Sequence, residues 1–135
     1  VSQTANLSDA AANAEANALA ALMNAGSMKV YSGPQPLTAN TAIGGGNTLL
    51  ATFTFGNPAW GSAVAGVITA NAIAPATAVA TGTATFARIL ESDGTTVVMD
   101  ITVGTSGAGL NLNATTIING IVIPISSFTY TVSEE

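Results

Sequence analysis

TGTATFARILESDGTTVVMDITVG, residues 81–104, is the stretch that decides the fold. Two runs rich in Thr, Val and Ile, Thr81–Leu90 and Thr95–Val103, flank Asp93-Gly94. Asp-Gly between such runs is the strongest short-range signal for a β-hairpin, because both residues tolerate the positive φ of a tight turn. With Asp93 and Gly94 as the two-residue loop, Leu90 opposes Val97 and Phe86 opposes Ile101. Met99 and Val103 join them on one apolar face. The other face carries Thr85, Ala87, Glu91, Thr96, Asp100 and Thr102, together with Ile89 and Val98. That alternation predicts a half-buried hairpin. Arg88 falls on the apolar face in this register. Three solutions are open: a packed stem with the head in water, a carboxylate partner, or a different register.

Further strand candidates surround the hairpin. Met28–Tyr31 is stopped by Gly33, Pro34 and Pro36, and Leu49–Phe55 by Gly56, Asn57 and Pro58. Gly66–Ile73 ends at Pro75. Leu110 and Leu112 alternate with Asn111 and Asn113 after a small-residue turn. Ile121–Ile125 and Phe128–Val132 complete the set, with Pro124 marking an edge or a bend. Many short strands with frequent turns predict a mainly β fold, a β-sandwich or barrel-like domain.

The chain before Met28 reads differently. Residues 1–6 show no periodicity and predict a flexible arm. Ser8 fits a helix N-cap, Asp9 suits the positive end of the helix dipole, and Ala dominates as far as Asn24. Gly26 stands where a C-terminal cap belongs. The expected organisation is an N-terminal arm and α-helix over 1–26, followed by a β domain over 27–135. Leu19, Leu22 and Met23 fall at i, i+3 and i+4 and predict one apolar face, extended by Ala12 and Ala16. Such a face needs a partner, either its own sheet or a neighbouring subunit.

The 135 residues suit one domain. Only 7% are charged, against roughly 25% in an average domain, so the surface is short of charge. The formal net charge of −5 includes only two cations, Lys29 and Arg88, too few for phosphate neutralisation. No direct nucleic-acid partner is expected, and the same charge balance argues against docking on anionic lipid. No apolar run approaches the roughly 20 residues of a membrane span, so no membrane partner is expected. Mean hydropathy is nevertheless +0.50. High hydropathy with few charges predicts a surface covered in an assembly, and hence a homo-oligomer, with a trimer the first choice.

Reactive chemistry is sparse. The chain has no Cys and no His. A hydrolytic Ser would lack its usual base, which leaves only a Ser–Lys pair through Lys29. Glu91, Asp93 and Asp100 are the clustered acids, and the first two sit at a hairpin tip, where turn chemistry is the default. Gly44, Gly45 and Gly46 lack the Lys-Ser/Thr ending of a phosphate loop. No enzymatic activity, cofactor or metal is expected. Trp60 and Tyr31 are candidate sugar platforms, but a single Trp after Asn57 and Pro58 fits a core or interface anchor better. The candidate interface residues are therefore Leu19, Leu22, Met23 and Trp60.

The segments TGTATFAR (81–88), SDGTTVV (92–98), VGTSGA (103–108) and LNLN (110–113), with LSDAAA (7–12) and KVYSG (29–33), carry a resemblance. Together they make the chain similar to a family of small proteins encoded with the structural genes of tailed bacteriophages and prophages. That resemblance implies a virion component, located in the virion. The leading expectation is an auxiliary capsid protein of the decoration or cement type, with the major capsid protein or another virion protein as partner. A tail, fibre or baseplate component is the second reading, and a carbohydrate-binding β-module using Trp60 or Tyr31 the third.

Overall fold

The computed structural model describes residues 6–132, so most of the predicted arm lies outside the described residues. The fold is mainly β with one N-terminal helix, and the principal sheet curls into a half-barrel. The helix α1 runs Asp9–Leu22. Strands follow in the order β1 (Ser27–Ser32), β2 (Leu49–Thr54), β3 (Val67–Thr69), β4 (Ala76–Thr77), β5 (Gly82–Leu90), β6 (Val97–Gly104), β7 (Leu110–Asn111), β8 (Thr116–Ile117), β9 (Val122–Ile123) and β10 (Thr129–Thr131). The main sheet has the order β2-β1-β5-β6-β7, and β8 also pairs with β5. Two small ribbons, β10-β3 and β4-β9, complete the sheet structure.

The central hairpin forms, with a register that differs from the expected one. Leu90 does oppose Val97, but an irregularity follows, and Ile89 pairs with Met99, Arg88 with Asp100 and Phe86 with Thr102. Val98 is thus an extra residue in β6, a bulge that exchanges the faces beyond it. Phe86 therefore does not oppose Ile101, and Arg88 is not stranded among Met99, Ile101 and Val103. The loop is also longer than two residues. Glu91 N–H donates to the Thr96 carbonyl, and Gly94 N–H returns to the Glu91 carbonyl with Gly94 at φ 76°. Asp93 accepts from the amides of Thr95 and Thr96, both at 2.8 Å, and so replaces missing backbone partners across the tip.

One face of the main sheet supplies much of the core. Met28 and Val30 of β1, Ala51 and Phe53 of β2, Ala87 and Ile89 of β5, and Ile101 and Val103 of β6 are all buried in one cluster. Phe55, Trp60 and Phe128 extend it as an aromatic group, with Trp60 and Phe128 ring centroids 4.9 Å apart. The helix joins this same core through Ala16, Ala20 and Met23. Small residues allow its backbone close to the 59–66 loop, which asparagines then hold. Asn13, Asn17 and Asn24 side-chain carbonyls accept from the amides of Gly66, Ala63 and Ala59 at 2.8–2.9 Å. Ser8 caps the N-terminus by accepting from Ala11, as its sequence position predicts. The C-terminal end differs from expectation. Ala25 takes the left-handed conformation (φ 56°), and Gly26 is needed for space, since a Cβ there would collide with the Leu90 carbonyl oxygen.

Gly66–Ile73 contributes only the three-residue β3, flanked by an isolated Trp60–Ala70 bridge. Strands β4 and β8 were not legible as strands, being two residues each.

Candidate functional site

The residues singled out in the sequence do not come together as one surface. Met23 is fully buried, Leu19 packs half-buried against the core, and Leu22 alone is well exposed, at 47%. The helix face expected from Leu19, Leu22 and Met23 is thus split. Its buried side is Ala12, Ala16, Ala20 and Met23, and it is spent on the chain's own core. Trp60 is only 5% exposed, enclosed by Phe55 and Phe128. Its ring has no free face for a sugar. Its indole Nε1 is buried without a hydrogen-bond partner among the described residues. Tyr31 is half-buried and stacks on Phe86 at 5.4 Å, so it is no open platform either.

Three of the charged residues, Lys29, Arg88 and Asp100, stand side by side across β1, β5 and β6. Lys29 and Arg88, the chain's two cations, are direct cross-strand neighbours, alternating along their strands with the core residues Met28, Val30, Ala87 and Ile89. Arg88 Nε and Nη2 donate to the two carboxylate oxygens of Asp100 at 2.7 and 2.8 Å. Both side chains are almost fully enclosed, with 6% and 4% exposure. The Asp100 hydrogen bond raises the Arg88 pKa against the opposing effect of burial. Burial likewise raises the Tyr31 phenol, with Arg88 opposing and Asp100 reinforcing. This fork-on-fork pair gives each buried charge a bidentate, opposite partner inside a packed row.

Asp93 has a different environment at the hairpin tip. The Thr96 hydroxyl, then the amides of Thr96 and Thr95, lower its pKa to about 2. Asp93 is therefore a turn-forming acceptor. Among the described residues, no three acidic side chains group in a way that could hold a metal ion.

An apolar surface sits at the opposite end of β5. Val79, Ile118, Ile121 and Val122 are large aliphatic side chains exposed between 39% and 62%. Backbone hydrogen bonds hold their segments together. Ala78 N–H donates to the Ile121 carbonyl at 2.8 Å, and Gly120 N–H to the Ala78 carbonyl at 2.9 Å. The β4–β9 ribbon aligns Thr77 with Val122. Beside the patch lies a recess of about 190 Å³ lined by Ile117, Ile121, Val122, Ile123, Pro124 and Asn113 among others. Solvent-exposed clusters of this kind mark association surfaces.

The segments that carry this patch come from charge-free stretches of the sequence. Residues 30–87 and 101–133 contain no Asp, Glu, Lys or Arg. Ile117, one residue before Ile118, pairs with Gly82 at the start of β5, whereas Glu91 and Asp93 follow its last residue, Leu90. At about 3.3 Å per residue, β5 separates apolar end from acidic tip by about 26 Å. The sequence signal for the patch was the absence of charge from 101 to 133. Edge strands are ordinarily guarded by charged residues, and this stretch has none.

Comparison with known protein families, with curated proteins and with solved structures finds no match to this chain.

Proposed function

We propose that the protein is a non-catalytic structural component of a tailed-bacteriophage virion, most specifically an auxiliary capsid protein that reinforces the head. One observation carries the reading. Val79, Ile118, Ile121 and Val122 are exposed large aliphatic side chains on segments that backbone hydrogen bonds hold together, within two stretches of sequence, 30–87 and 101–133, that carry no charged residue. A protein whose outer surface must stay in water does not ordinarily leave four aliphatic side chains together without a guarding charge. A subunit of an assembly does so, because the assembly covers them. The sequence resemblance to phage and prophage structural-region proteins points the same way. Repetition of a modest contact over a symmetric shell would supply the strength that one contact lacks.

The test is made on particles of the phage or induced prophage that encodes the chain. Purified heads, separated from tails, should contain the protein in many copies by mass spectrometry, with matching density on the shell by cryo-electron microscopy. Its presence in tails only would move it to the fibre or baseplate reading. Its absence from purified particles would overturn the virion reading.

A further inference from the structure

We propose that Asn119 is a site of self-deamidation, in which the Gly120 backbone nitrogen displaces the Asn119 side-chain amide at a rate set by opening of the β4–β9 ribbon. The sequence places the reactants side by side. Asn119 is the only asparagine in the chain followed by glycine. A side chain at the second position would crowd the approach of its own nitrogen to the asparagine, whereas Gly120 has no Cβ to do so. Even a Cβ built there would meet no atom within contact distance, so the turn is open to water. Both residues are exposed, and the Asn119 side-chain amide has no hydrogen-bond partner among the described residues.

The reaction needs only water besides the chain itself. The Gly120 nitrogen gives up its proton and bonds to Asn119 Cγ. The bond from Cγ to Nδ2 breaks, and Nδ2 takes up the proton and leaves as ammonia. A five-membered succinimide remains. Water then cleaves either of its two ring bonds to nitrogen. Cleavage at Cγ gives aspartate, and cleavage at the main-chain carbonyl carbon gives isoaspartate, with one extra methylene in the backbone. Either product adds one negative charge to the formal −5, within a stretch, 101–133, that has none. The comparable pair Asp93-Gly94 is shielded. The Asp93 carboxylate accepts from the Thr95 and Thr96 amides and the Thr96 hydroxyl, and an ionised carboxylate held in this way resists attack by nitrogen.

The fold supplies the gate. Asn119 and Gly120 form the turn between β8 and β9, with Gly120 at φ 91°. Gly120 N–H donates to the Ala78 carbonyl at 2.9 Å, Asn119 N–H to Thr81 Oγ1 at 3.0 Å, and Ile121 N–H to the Ile118 carbonyl at 3.1 Å. Ring closure turns the Gly120 nitrogen towards Asn119 Cγ and away from Ala78, so the turn must first leave these partners. The ribbon that holds it has two residue pairs, Ala76 with Ile123 and Thr77 with Val122. Short, exposed pairings of this kind open locally without unfolding the whole molecule. The closed fold therefore slows the reaction, and each opening permits it.

Peptide mapping by mass spectrometry over a time course tests this, on the 135-residue chain in warm, mildly alkaline buffer. The peptide holding Asn119 should gain one mass unit before any other asparagine converts, as a mixture of aspartate and isoaspartate. The chain unfolded in urea should convert there about tenfold faster or more, because no opening step remains. Thr81→Ala, checked for folding by circular dichroism, removes the acceptor of the Asn119 N–H. It should speed conversion several-fold in the folded chain and leave the rate in urea unchanged. Thr81→Ser keeps the hydroxyl and should match the unaltered chain. Absence of the mass gain at Asn119 overturns the proposal, as does earlier conversion of another asparagine. Equal rates in the folded and unfolded chains overturn it too, and this comparison decides alone if Thr81→Ala does not fold. A folded Thr81→Ala variant that converts no faster than the unaltered chain also overturns it.

Discussion

Arg88 and Asp100 are the residues on which most local energy turns. Their pair is enclosed on both sides, so removing one member leaves the other buried and unpaired. Asp100→Ala should cost about 3–5 kcal/mol in urea unfolding, followed by Trp60 emission. Replacing both, as Arg88→Met with Asp100→Leu, should recover most of that loss, because two apolar side chains need no partner in the same row. Asp93 offers a pH-dependent counterpart. Its carboxyl titrates near 2 when folded, below the ordinary carboxylate range. A depressed acid contributes stability above its unfolded pKa, about 3.9, and loses it as pH falls through the folded value. The Thr95 and Thr96 amide resonances should therefore shift as pH falls from about 4 to 2. Asp93→Asn should abolish that titration, and unchanged shifts in the variant would assign it elsewhere.

At the scale of elements, the helix is attached by packing and by three asparagines, with little large apolar surface of its own. Asn13 accepts from the amide of Gly66, which is buried. Asn13→Ala leaves that N–H without its acceptor and should cost roughly 1–3 kcal/mol by chemical denaturation. Met23→Glu should prevent folding, since Met23 has no exposed surface, whereas Leu22→Glu should fold with its circular dichroism unchanged. Equal effects of the two substitutions would contradict the helix orientation described above. The hairpin shows how one residue redirects an element. Val98 as a bulge turns Asp100 towards Arg88 and sends Ile101 and Val103 to the core.

Across the whole molecule, β5 runs between two contrasting ends, with Glu91 and Asp93 following its last residue and Ile117, next to exposed Ile118, pairing with its first. Unfolding is expected to be cooperative, because α1 and the strands contribute to one core. Trp60→Ala removes a side chain from the centre of the aromatic group and should cost about 3–5 kcal/mol. Unfolding followed by circular dichroism at helix and strand wavelengths should give one coincident transition. Two separated transitions would show that the helix folds independently of the strands.

The sequence by itself determined the elements with strong local signals. Ser8 and the Ala-rich run specify a helix, and Asp93-Gly94 between Thr- and Val-rich runs specifies a hairpin. These signals act over a few residues, through caps, backbone entropy and turn dihedrals. Low charge also predicts a chain that associates. Tertiary structure decided which large apolar residues remain exposed. Leu19, Leu22 and Met23 share a helical spacing, yet the core takes Met23 and most of Leu19, because three buried alanines set the angle at which the helix docks. Trp60 is drawn inward by Phe55 and Phe128 from distant segments. Val79, Ile118, Ile121 and Val122 gain their common surface only when β4 meets β9, some forty-five residues later in the chain. The bulge at Val98 is likewise invisible in local pattern, since either register satisfies the alternation. Only the buried Arg88, which requires Asp100 opposite it, makes one register the stable one.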